Sequence, residues 1–252
     1  TEPTLNQLNK IENQELENIK SGLNQSISLA QEIEREIKKL NKLILNKKVL
    51  AWEEKQKANK ILEKQKKLEE QIKKTKEIST QNLKTKEKLN SEILEKQKKL
   101  DELMKNVFDE EMKELFKEME ELLKNTDKEK LKNLLEKIEN QNVDIEKELD
   151  RELELFKQLE FEQKTEEILN KIEKIKKDQE KIKEETLNGK MDKKDLIAKQ
   201  DSLTKEMDDL QKEMDDLRQK NMQLENKNEM PKTQSIEKSI KENMKESSNN
   251  LK

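Results

Sequence analysis

The stretch EMDDLQKEMDDL (206–217) runs nearly the same seven residues twice, Glu206-Met207-Asp208-Asp209-Leu210-Gln211-Lys212 and then Glu213-Met214-Asp215-Asp216-Leu217. With Met207 and Met214 placed at heptad position a, Leu196, Leu203, Leu210, Leu217 and Leu224 all fall at d. One side of a helix then carries a continuous apolar stripe while the rest is charge and amide. Such a stripe is useful only when a second helix covers it. The predicted fold class is all-α: an elongated antiparallel coiled coil of long helical hairpins with no globular core.

Composition supports this. Of 252 residues only 29% are hydrophobic and 45% are charged, against roughly 45–50% and about 25% in ordinary domains. So little apolar material does not wrap a wide core, yet it fills a narrow seam between rods. Disorder is the competing outcome of such polarity, and the regular spacing of Leu, Ile and Met opposes it.

The same inventory excludes several functions. The net charge is −3 from 55 basic and 58 acidic residues, so the signs are interleaved. With three arginines (Arg35, Arg151 and Arg218) and few aromatics, there is no basic stacking face, and nucleic acid is not an expected partner. Cysteine and histidine are absent, which removes disulfides, Cys/His zinc sites, thiol nucleophiles and imidazole catalysis. Paired carboxylates abound, but bare helices offer no pocket to shift their pKa values. Asn188-Gly189-Lys190-Met191 lacks the glycines and hydroxyl of a phosphate loop. No catalytic residue, metal or cofactor is expected. The most apolar stretch, LNKLILNKKVLAW (40–52), falls short of the roughly 18–20 residues of a membrane span. The chain opens at Thr1 without a signal-peptide pattern, as a processed form or an excised piece of a larger protein would.

Breaks in the pattern divide the chain. Residues 1–23 form a helical segment or linker interrupted at Ser21-Gly22, because glycine ends helices. A first long helix is expected over 24–124, with a bend near 75–85 where apolar residues thin out. Asn125-Thr126-Asp127-Lys128-Glu129 has the capping-box spacing of Thr and Glu, so the chain reverses there into a second helix over 127–187. Asn188-Gly189 is the next stop, with Asp192 able to cap a third helix over 192–229. Folding at this corner brings Leu196, Leu203 and Leu210 towards Ile182, Ile175 and Ile172. A polar, frayed tail is expected over 231–252. ILEKQKKLEEQ (61–71) also returns as ILEKQKKLDEL (93–103); chance or local duplication in a Lys/Glu-rich sequence is the plain reading.

NVFDEEMKELFKEMEELLKN (106–125) and NVDIEKELDRELELFKQLEFEQKTEE (142–167) resemble a family of large membrane-anchored Bacteroidota proteins of unknown function. In that family, membrane helices precede a long helical region outside the inner membrane. The resemblance implies an excised segment of the cell envelope or periplasm, and it carries over no catalytic residues. Composition alone is equally compatible with the cytoplasm.

Two clusters are candidate partner patches. Phe108, Phe116, Phe156 and Phe161 flank the 125–127 corner; as aromatics they thicken a hairpin core or form a docking patch. Trp52, with Leu43, Ile44, Val49 and Leu50, is expected opposite residue 200 if the first hairpin is in register, packing there or presenting a binding anchor. The seam comprises Ile172, Ile175, Ile182, Leu196, Leu203, Met207, Leu210, Met214, Leu217 and Leu224. Asn221, at an a position, can set register, and Glu213 with Arg218 can pair between the chains of a parallel dimer. The same stripes serve homo-oligomerisation as well as hairpins. The leading functional expectation is a scaffold or spacer that docks protein partners through apolar helix faces. The alternatives are a chaperone-like tentacle for non-native clients in envelope secretion, and a membrane-surface binder acting through the Lys-rich 55–105 stretch.

Overall fold

The computed structural model describes residues 5–45, 52–84, 91–107, 110–125, 127–189 and 191–251. The helices are α1 (Leu5–Leu45), α2 (Trp52–Lys84), α3 (Ser91–Asn106), α4 (Glu110–Asn125), α5 (Lys128–Asn188), α6 (Lys193–Met222) and α7 (Gln234–Asn250). The chain is all-α and built of helical hairpins, with no strand among the described residues. It divides into two compact units, Thr1–Phe156 and Lys157–Lys252.

Steps of four and three residues build the first unit. In α1 the buried positions include Ile19, Leu23, Ser26, Ala30, Ile33, Ile37, Leu40 and Ile44. In α2 they include Glu54, Ala58, Ile61, Gln65, Leu68, Ile72, Thr75 and Ser79. The first part of α5 repeats the spacing with Leu131, Leu135, Ile138, Asn142, Ile145, Leu149, Glu152 and Phe156. Each fully covered Ile or Leu contributes about 1.5–3 kcal/mol. Cross-helix contacts set the directions. Lys64 donates to Glu32 at 2.5 Å while Gly22 meets Thr75, so α2 runs antiparallel to α1. Gln31 donates to Glu146 at 2.8 Å and Asn41 to Glu139 at 3.3 Å, so α5 is antiparallel to α1 as well. Thr80 donates to Asp101 at 2.8 Å and Lys66 to Glu120 at 3.1 Å, which returns α3 and α4 along α2. The result is four antiparallel rods. The echoed segments occupy neighbouring rods and bury equivalent positions, Ile61 and Leu68 in α2, Ile93 and Leu100 in α3.

Three expectations are corrected here. The continuous helix over 24–124 is divided among α1 to α4, and the chain reverses between Leu45 and Trp52 without glycine or proline. That reversal is imposed by the seams, since α1 buries its stripe against α2. The bend near 75–85 is not found in the described part: α2 continues to Lys84, and Thr75 and Ser79 are buried seam residues. The Ser21-Gly22 interruption lies inside α1. There Gly22 permits close approach instead of breaking the helix, because a Cβ at this position would lie 2.1 Å from Thr75 Oγ1 and 3.1 Å from Thr75 Cβ. Helix propensity alone makes Gly22→Ala stabilising by about 1 kcal/mol. We expect the opposite sign, a net loss of about 1–3 kcal/mol from overpacking, largely recovered when Thr75→Ala is added. Urea unfolding of the two single variants and the double variant measures this, and a stabilising Gly22→Ala in the unaltered background would contradict the close approach. At the next corner Thr126 lies outside the described residues; Asp127 caps α5 by accepting from the Lys130 amide at 3.1 Å.

The second unit comprises residues 157–188 of α5, then α6 and α7. Lys174 donates to Glu206 at 3.0 Å and Lys199 to Glu185 at 2.8 Å, so α6 is antiparallel to α5. Between them Gln179 and Gln200 exchange side-chain amide hydrogen bonds at 2.8 and 3.0 Å, which satisfies polar groups set within an apolar seam. The reversal uses Gly189, whose φ of 61° is left-handed, and Asp192, which caps α6 by accepting from the Lys194 amide at 3.3 Å.

The region expected to be a frayed tail is instead α7, with Met244 buried. It runs antiparallel to α6, tied by Arg218 to Glu237, by Lys241 to Asp208 at 2.6 Å and by Ser248 to Asp201. The α6 helix stops at Met222, short of the expected 229. Asn221 turns the chain there: its Nδ2 donates to the Asn228 carbonyl and its Oδ1 accepts from the Asn228 amide, both at 2.8 Å. This amide therefore fixes a turn within the chain. Glu213 and Arg218 are likewise engaged intramolecularly, Glu213 with Lys164 and Lys171, Arg218 with Asp215 and Glu237.

Candidate functional site: an apolar trough between α5 and α7

Since α5 and α7 both run antiparallel to α6, they are parallel to one another. The three polar anchors of α7 all reach α6, and α5 also packs on α6 through its seam. The space between α5 and α7 remains open as a cavity of about 920 Å³. Its floor includes Gln200, Met207, Leu210 and Met214 of α6, with Ile175 and Ile182 from the base of α5.

The walls are apolar but uncovered. Ile172 and Ile240 are 39% and 40% exposed, Ile236 is 58% exposed and Leu187 is 77% exposed. All four line the cavity. Each is large enough that burial would stabilise it, and together they form a contiguous patch rather than the scattered apolar surface of ordinary proteins. Four polar side chains of the lining are already engaged: Thr186 donates to the Ile182 carbonyl at 2.7 Å, Thr233 to Glu237 at 2.6 Å, and Gln179 and Gln200 to one another. The floor and walls thus offer chiefly shape and apolar contact, with exposed charge confined to one edge. Its upper edge on α5 carries Lys176, Glu180 and Lys183, all exposed, and none of the three takes part in an ion pair with a described residue. Among the described residues no Asp/Glu cluster is placed to hold a metal ion.

The structure distributes the sequence-derived candidates unevenly. Ile175, Ile182, Leu196, Leu203, Met207, Leu210, Leu217 and Leu224 lie buried in one cluster, with Met214 packed against it. Ile172 stands apart on the trough wall. Phe116 and Phe156 are core residues of the first unit and Phe161 of the second, so these three offer no exposed docking patch; Phe108 lies outside the described residues. Trp52 is 76% exposed at the start of α2. The register that set it opposite residue 200 required an unbroken helix over 24–124, and that helix is divided among α1 to α4. Ile44 is buried and Leu43 half-buried, while Val49 and Leu50 lie outside the described residues.

Sequence reasoning missed Ile236, Ile240 and Leu187. The signal was present: SIEKSIKENM (235–244) places Ile236, Ile240 and Met244 at steps of four. No helix among the described residues is long and apolar enough to cross a membrane. In comparisons with known proteins, no family model, curated protein or solved structure matches the chain.

Proposed function

We propose that this chain is a helical scaffold that docks protein partners, seating an apolar helix face in the trough of α5, α6 and α7. One observation carries this reading: Ile172, Leu187, Ile236 and Ile240 are exposed around a 920 Å³ cavity with an apolar floor. A groove of that kind is the receiving half of helix-in-groove recognition, in which an amphipathic helix buries residues spaced three and four apart. The likeness of residues 106–167 to envelope proteins supports a place in the cell envelope. The test uses synthetic four-turn peptides with one leucine stripe and uncharged edges. Saturable one-to-one binding to the intact chain is expected, weakened about tenfold or more by Ile240→Glu, which sets a charge against the apolar stripe. Equal binding to both proteins would sink the docking reading.

A second reading, a chaperone-like holder of non-native clients, is favoured by Met207, Met214 and Met244 around the same trough, because thioethers adapt to many shapes. It predicts that the chain suppresses aggregation of an unfolded client and that Ile240→Glu loses this effect.

A further inference from the structure

We infer that the trough takes an amphipathic helix of a partner protein whose edge facing α5 carries an acidic, a basic and an acidic residue over two turns. This rests on the docking reading and names the chemistry of the partner. The occupied length follows from the walls. Ile172 to Leu187 on α5 spans fifteen residue steps, as does Ile236 on α7 to its C-cap Leu251, or about 22 Å of helix. Two parallel rods on a shared antiparallel floor leave the fourth corner of a bundle open, and four turns of helix fill it.

The charge order selects among occupants. Along the α5 rim Lys176, Glu180 and Lys183 read plus, minus, plus at spacings that face one way on a helix. A seated helix runs its own edge residues beside them, so the complementary edge reads minus, plus, minus. A second copy of this chain fits poorly. Two troughs facing one another with α5 against α5, across a twofold axis between residues 179 and 180, set Lys176 of each against Lys183 of the other, a like-charge juxtaposition, and in any facing arrangement two concave surfaces leave each other unfilled. A lipid surface attracted by the lysines is disfavoured by shape, since the apolar residues line a concavity rather than a convex face.

The experiment compares two peptides with the same leucine stripe, one edged Glu-Lys-Glu and the other Lys-Glu-Lys, binding to the full chain. The acid-edged peptide is expected to bind about tenfold more tightly, with the preference fading as salt is raised. The Lys176→Glu/Lys183→Glu variant, whose helicity is checked by circular dichroism, is expected to reverse the order. Equal affinity for both peptides overturns the charge assignment and leaves the docking reading standing. Failure of both peptides, and of the uncharged one, overturns both. A dimer in sedimentation that Ile240→Glu dissolves assigns the trough to a second copy and overturns the inference. So does competition for the acid-edged peptide by anionic vesicles.

Discussion

Replacing Glu152 with leucine is expected to stabilise the first unit by roughly 3 kcal/mol at neutral pH, with the gain growing as pH rises. Glu152 occupies a seam position on α5 between Leu149 and Phe156, is fully buried, and neither carboxylate oxygen has a hydrogen-bond partner. Burial first, and then the negative charge of Glu148 one turn away, push its pKa from 4.5 up to about 8. The folded protein therefore holds a proton that the unfolded chain releases above pH 4.5. Where the native state binds more protons, stability falls as pH rises. The penalty is absent below about pH 4.5, grows through the interval and is complete above about pH 8. Many other carboxylates titrate in this chain, so the informative quantity is the variant-minus-parent difference, measured by urea unfolding at several pH values with amide exchange of α1 as the reporter. A difference that stays flat between pH 4.5 and 8 would show that Glu152 is solvated or paired.

Arg218→Met is expected to act in the other direction and on a different element. Arg218 Nη2 donates to both Glu237 and Thr233, and Glu237 is buried. Removing the guanidinium leaves a buried carboxylate with the Thr233 hydroxyl as a donor, and breaking such a pair costs about 3–5 kcal/mol. The cheapest relief is for α7 to leave α6, because α7 is held by few cross-helix anchors. Amide exchange in α7 should accelerate more than a hundredfold, while protection in α1 stays at the parent level. Adding Glu237→Leu should restore most of the protection, since an apolar pair of similar volume replaces the ion pair without an orphaned charge. Unchanged α7 protection in Arg218→Met would show that other contacts hold this helix. The same undocking removes one wall of the trough, so peptide binding should fall with it.

Much of the second unit was legible along the chain. The doubled heptad at 206–217, with its leucines at d, placed the buried face of α6, and Gly189 and Asp192 announced the corner. Each is a local signal: a period, a left-handed position, a cap. The reversal between Leu45 and Trp52 was not legible, since Asn46 is its lone turn-favouring residue, with no glycine or proline beside it, and four buried positions of α2 are polar (Glu54, Gln65, Thr75 and Ser79). A seam that hides glutamate and glutamine looks like a surface when read as hydropathy.

The sequence by itself determined that the chain is helical and which faces of its most regular helices must be covered, because both follow from the spacing of apolar side chains along a 3.6-residue turn. Which helix covers which was decided only in three dimensions. Equivalent stripes on several helices are interchangeable as patterns, and the choice among them rests on contacts between distant residues: Gly22 against Thr75, Gln179 against Gln200, Arg218 against Glu237. The trough belongs to that second kind of information. Ile172 was read as seam because its spacing is seam-like, and it stands uncovered because α7 is anchored to α6.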